Sequence, residues 1–115
     1  MKWVKKKWGN EKWIVNTELY CLKLMTVLPE HSCSFHAHSK KTETFYITEG
    51  ALELHISKVN GQKKWKTVIL KRGQQFTLKP NQYHRFNTKG SGWCRFYEVS
   101  THHSDDDVMR LTESY

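Results

Sequence analysis

The sequence lacks any apolar run long enough to cross a bilayer. Its most apolar stretch, residues 19–28, is about ten residues long and is interrupted by Lys23, whereas a spanning helix needs about twenty. Internal repeats and low-complexity linkers are also missing, so 115 residues are expected to form one domain with a modest core. Strong helical periodicity is absent, which turns attention to strands. Cysteine is scarce: Cys21, Cys33 and Cys94 cannot all pair within one chain, and none has a C-x-x-C spacing. Buried free thiols are the expectation, and they favour a reducing compartment. The first residues are basic with no apolar run behind them, so the chain is read as a soluble, cytoplasmic protein.

Acidic residues are few as well, eleven against nineteen basic, for a formal net charge of +8. The excess is uneven. Residues 1–13 hold Lys2, Lys5, Lys6, Lys7 and Lys12 against Glu11 alone. A nucleic-acid partner would use those lysines on phosphates and Trp3, Trp8 and Trp13 as stacking platforms. No recognised nucleic-acid motif accompanies the charge, so residues 1–12 are read as a basic arm whose tryptophans cover the domain or a partner subunit. The positive field remains compatible with an anionic substrate.

What is abundant is aromatic and β-branched sequence cut by turn signals. Residues 19–28, 33–38, 43–49, 51–59, 63–70, 75–79, 84–87 and 92–99 each read as strands. Asn60-Gly61 is the sharpest hairpin signal, because a type I′ turn needs positive φ at both central residues, and residues 89–92 mark another reversal. Short strands in this number predict an all-β antiparallel barrel or sandwich. Homodimerisation is expected, since open sheets hide their edges by pairing. In the strand 51–59, Leu52, Leu54 and Ile56 alternate with Glu53, His55 and Ser57, so His55 is placed on a polar surface or dimer face.

Chemistry concentrates in His36-Ala37-His38, followed by Glu43 and later by His84. Residues two apart on a strand project the same way, so the two histidines can share one ion. The polar segment 39–42 turns the chain and brings Glu43 onto the neighbouring strand, and His84 opens a further strand after Pro80. Cys33 is at odd spacing from the histidines and shares no face with them. His31 is read as a loop residue near the pocket mouth. His102, His103 and the run Asp105, Asp106, Asp107 match no EF-hand pattern and are read, with the rest of 101–115, as an acidic tail or helix cap.

In this order the residues resemble the cupins. Their first motif has H-x-H, three or four residues, Glu, six residues and Gly, matched by His36, His38, Glu43 and Gly50, without the usual leading glycine. Their second motif places a glycine, a proline and a histidine in sequence, matched by Gly73, Pro80 and His84, with Gln82 where glycine is common. The resemblance covers about residues 8–100 and implies a cupin-type barrel, the double-stranded β-helix or jelly roll, with a metal inside. Trp8 to Trp13, Glu30 to His36 and Glu98 to Asp107 look like stretches in sugar-handling cupins, including D-lyxose isomerase and mannose-6-phosphate isomerase-like proteins.

Three neutral imidazoles and one carboxylate suit a divalent transition metal, manganese, iron, cobalt, nickel or zinc, with positions left open for a ligand bearing two adjacent oxygens. For a sugar or sugar phosphate such a site would support metal-assisted aldose-ketose isomerisation, which also needs a base. Glu98, Tyr46 and Lys23 lie on expected strands and are the candidates. Phe45, Phe86 and Trp93 are candidate walls of the cavity. Two other functions use the same site: an Fe(II)-dependent dioxygenase, and a non-catalytic module that binds a small chelating molecule.

Overall fold

Along the central strands the inward side chains change chemistry partway, from apolar at one end of the barrel to charged at the other. A computed structural model describes residues 1–57, 65–88, 90 and 92–111. Its strands are β1 (Lys2–Lys6), β2 (Gly9–Asn16), β3 (Cys21–Val27), β4 (His36–His38), β5 (Glu43–Glu49), β6 (Ala51–Ser57), β7 (Lys66–Lys71), β8 (Gln75–Leu78), β9 (Tyr83–Asn87), β10 (Cys94–Ser100) and β11 (Val108–Arg110). The Asn60-Gly61 turn, and Lys89 and Ser91 of the second expected reversal, lie outside the described residues.

Two antiparallel sheets face each other: β1-β2-β3-β10-β5-β8 and β11-β4-β9-β6-β7. This is the expected cupin-type double-stranded β-helix. In β3, Lys23, Met25 and Val27 point inward; in β10, Cys94, Phe96 and Glu98 do; in β5, Glu43, Phe45 and Ile47 do. Pairing puts Cys94 opposite Val27, Phe96 opposite Met25 and Glu98 opposite Lys23, so like meets like along the barrel. The apolar end packs with Leu52, Leu54, Leu78 and Phe86 from the other strands. Phe45, Phe86 and Phe96 meet at centroid distances of 4.9 to 5.9 Å in tilted or edge-on pairs, geometry that adds to the burial of their large surfaces.

The strands expected from sequence are present with ends moved by a few residues, and three others join them. Residues 1–12 are not a separate arm. Lys2–Lys6 pairs with Gly9–Asn16 as the outer hairpin of the first sheet. Four lysines in six residues disguise an edge strand, because lysine on an edge discourages pairing with other chains. At the hairpin turn Trp8 is buried edge-on against Phe86 at 5.1 Å, while Trp3 stays exposed. Gly9 lets β2 start close against β3: a Cβ there would sit 1.8 Å from the Thr26 carbonyl oxygen. At the other end, residues 101–111 are not a free tail. They form a 3₁₀ turn at Asp105–Asp107, capped by Ser104, and then β11, which pairs with β4.

His55 also departs from expectation. It is buried on the far side of β6 from the cavity, stacked on Trp65 at 5.1 Å, with Nδ1 accepting from the Arg85 Nε at 2.8 Å. Alternation set its face correctly; neighbouring side chains on that face cover it. Among the described residues, no helix is long and apolar enough to cross a membrane.

Candidate metal centre

The charged end of the barrel opens into a cavity of about 80 Å³, into which His36, His38, Glu43 and His84 all project. His36 and His38 leave the same face of β4 with the buried Ala37 on the other, and pairing of β4 with β9 sets His84 opposite His36. One donor atom from each of the three histidines lies within 4.8 Å of the others. Glu43, the first residue of β5, reaches in from the facing sheet, with Oε2 3.4 Å from His38 Nε2 and 3.7 Å from His84 Nε2.

Two of the imidazoles are held in a defined tautomer. His36 Nδ1 lies 2.7 Å from the Ser34 carbonyl and His84 Nδ1 lies 2.9 Å from the Gln82 carbonyl. A carbonyl only accepts, so each Nδ1 carries the proton and each Nε2 presents a lone pair. His84 Nε2 is buried and, among the described residues, has no hydrogen-bond partner. A lone pair stripped of water and left unpaired is costly, and a metal ion removes that cost. Burial lowers all three imidazole pKa values, His84 to about 4, assisted by the Lys41 ammonium and, for His36 and His38, by neighbouring histidines, so they stand neutral as metal ligands require. The Glu43 carboxyl is pushed up, first by burial and then by the Glu98 carboxylate; a bound cation would reverse that. The donor set therefore fits a divalent transition metal.

The three candidate bases separate. Glu98 and Lys23 are buried in the cavity, whereas Tyr46 is 45% exposed on the outer face of β5. Tyr46 is an odd number of residues from Glu43, so the pleat that aims Glu43 inward sends Tyr46 to solvent. Glu98 Oε2 lies 3.1 Å from Lys41 Nζ and 3.9 Å from Lys23 Nζ. Burial raises the Glu98 pKa, but these two ammoniums outweigh it and hold the carboxyl below its usual range. Lys23 also contacts Glu11 at 3.5 Å and lies 4.3 Å from the centre of the Trp13 ring.

Two buried residues of this site are not among those the sequence assigns to it. Lys41 sat in a segment that reads as a polar turn, yet it is two residues before Glu43 and shares its side of the chain; its Nζ is 4.0 Å from Glu43 Oε1. His103 sat in the expected tail, with no local pattern to betray it. Its Nδ1 accepts from Lys41 Nζ at 3.0 Å. Among the other expectations, Cys33 is a buried thiol pushed up to about 12 by burial and accepts from the Phe86 N–H, so it remains a protonated neighbour of the site. Phe86 lines the cavity, Phe45 is core, and Trp93 is exposed. His31 is a loop residue beside the Pro29 carbonyl and does not line the cavity.

Residues 23–100 match the family described as Cupin domain. The chain belongs to the cupins. This cupin is 30% identical over 122 residues to a D-lyxose/D-mannose isomerase of Thermosediminibacter oceani, covering 86% of this chain and 65% of that protein. It is 29% identical over 98 residues to a D-lyxose ketol-isomerase of Thermofilum sp., covering 68% of this chain and 54% of that protein. The cupin thus spans between about half and two thirds of the length of these curated relatives. Its fold matches the capsular polysaccharide assembling protein CapF of Staphylococcus aureus with a TM-score of 0.83 at 14% identity, over 96% of this chain and 34% of that one.

Proposed function

We propose that this cupin is a metal-dependent isomerase that interconverts the aldose and ketose forms of a sugar or sugar phosphate. The observation that carries the reading is the buried Glu98–Lys41 pair beside the histidine cluster. Burying an ionised carboxylate carries a desolvation cost, and a carboxylate held beside a metal site can serve as the base that proton transfer at carbon needs. The isomerase relatives point to the same substrate class.

A divalent metal held by His36, His38, Glu43 and His84 would polarise a carbonyl and acidify the adjacent C–H. Within the chain, Glu98 is the base that would take the proton from C2 and return it to C1 while the O2 hydroxyl proton passes to O1, so that atoms and charge balance over the cycle. Lys41 and Lys23 keep Glu98 ionised between turnovers and supply donors for the sugar oxygens. Trp8 and Phe86 also line the cavity and would limit water around the reacting carbons. The same reading takes the protein to be a cytoplasmic homodimer, testable by light scattering of the eluted protein.

Elemental analysis of untagged protein identifies the metal, and a panel of pentoses, hexoses and their phosphates, followed by the appearance of ketose, tests the reaction. Isomerisation that requires both metal and Glu98 is the expected result. A fully loaded protein that converts no sugar, or that consumes oxygen with iron bound, would replace this reading with a binding module or a dioxygenase.

A further inference from the structure

The segment 103–107 does more than close the chain. Lys41 sits on the loop between β4 and β5, which crosses from one sheet to the other and has no ladder to hold it. Asp107 supplies the missing restraint. Its Oδ1 accepts from the Ser39 N–H at 2.8 Å and the Lys40 N–H at 3.0 Å, and its Oδ2 from the Lys41 N–H at 3.2 Å. The Ser39 hydroxyl adds a further contact. Four residues earlier, His103 reaches the other end of the same lysine.

We propose that residues 103–107 are a positioning clamp for Lys41, with Asp107 fixing the loop backbone and the Asp105–His103 pair fixing the ammonium against Glu98. An ammonium only donates, so the 3.0 Å contact makes His103 Nδ1 the acceptor and places its proton on Nε2. That proton is donated to Asp105 Oδ1 at 2.9 Å. The ring has little freedom to turn otherwise. Its backbone N–H and carbonyl are both bonded to the Asn16 side chain, at 3.1 and 3.2 Å, and Trp13 packs edge-on at 5.0 Å. A lysine side chain has several accessible rotamers, and holding one costs entropy that these fixed acceptors offset. The clamp orders the cation that keeps Glu98 ionised, so its effect on turnover rests on the isomerase reading while its effect on Lys41 does not.

The test uses full-length ¹⁵N-lysine-labelled protein. Lys41→Arg assigns the Lys41 ammonium signal, and solvent exchange of that ammonium is followed in His103→Ala, His103→Asn and Asp105→Ala, each checked for metal content and thermal midpoint. Asn places an oxygen acceptor near the position of Nδ1, and Asp105 is 81% exposed, so its removal leaves folding intact. Exchange is expected to rise about tenfold or more in His103→Ala, to rise less in Asp105→Ala, and to return towards wild type in His103→Asn. With a sugar that turns over, His103→Ala lowers kcat by about 100-fold at unchanged KM and full metal load, the scale expected for a misplaced catalytic partner, and His103→Asn recovers most of it. Unchanged Lys41 exchange in both alanine variants would overturn the clamp. Failure of every sugar to react would instead overturn the isomerase reading, and the exchange measurement would still decide this one.

Discussion

Replacing Lys41 by Met isolates what the buried ammonium contributes. Lys41 is 3% exposed and stands between two buried carboxylates, 3.1 Å from Glu98 and 4.0 Å from Glu43. Removing one member of a buried ion pair costs about 3–5 kcal/mol, because the remaining charge has lost water and partner together. Lys23 stays 3.9 Å from Glu98 and softens the loss, so about 3 kcal/mol is expected in metal-free protein, or a fall of about 12 °C in Tm for a domain of this size. Lys41→Met combined with Glu98→Gln removes both charges and should recover about 2 kcal/mol of that loss, measured as a double-mutant cycle by urea denaturation. The pH dependence has a defined sign. Glu98 is held below its unfolded value of 4.5, so its contribution to stability is present above 4.5 and is lost as pH falls further. The Lys41→Met penalty should therefore shrink in acid as Glu98 takes up a proton. A single variant as stable as wild type, or a double variant no more stable than the single one, would refute the reasoning.

Other consequences follow from the same geometry. Glu98→Gln should lower kcat by about 10²- to 10⁴-fold without altering metal content, while Tyr46→Phe on the outer face should change it by less than about twofold; steady-state kinetics with a converted sugar distinguishes them. Gly50→Ala should destabilise the protein by about 3 kcal/mol or more, read by thermal denaturation, because φ is +76° there and a Cβ would lie 2.4 Å from the Trp93 carbonyl oxygen. Burial raises Cys33 and Cys94 from 9.0 to about 12, so the folded protein should resist thiol-specific labelling at mildly alkaline pH, followed by intact mass. The stability these protonated thiols contribute is complete below 9 and lost as pH rises towards 12, which equilibrium unfolding across that range will register.

Much of the centre was legible because strand chemistry is local. Alternation alone aligns His36 with His38 and, starting from an inward Glu43, also sends Phe45 inward and Tyr46 out. The barrel followed from short, aromatic-rich strands and their turns. Residues 1–12 misled for the opposite reason, since the lysines that make an edge strand safe also make it resemble a solvated arm.

The sequence by itself determined the candidate donors, their order and their relative faces, because the two-residue pleat is written into consecutive residues. Only the tertiary structure decided which charges meet. Glu98 is placed against Lys23 by pairing of β10 with β3, and Lys41 is turned inward by partners more than fifty residues away, in a segment whose own pattern gives no sign of burial. Such contacts depend on where two strands close the barrel rather than on any local period. The three-dimensional register is therefore what sets an ionised carboxylate beside the histidine cluster.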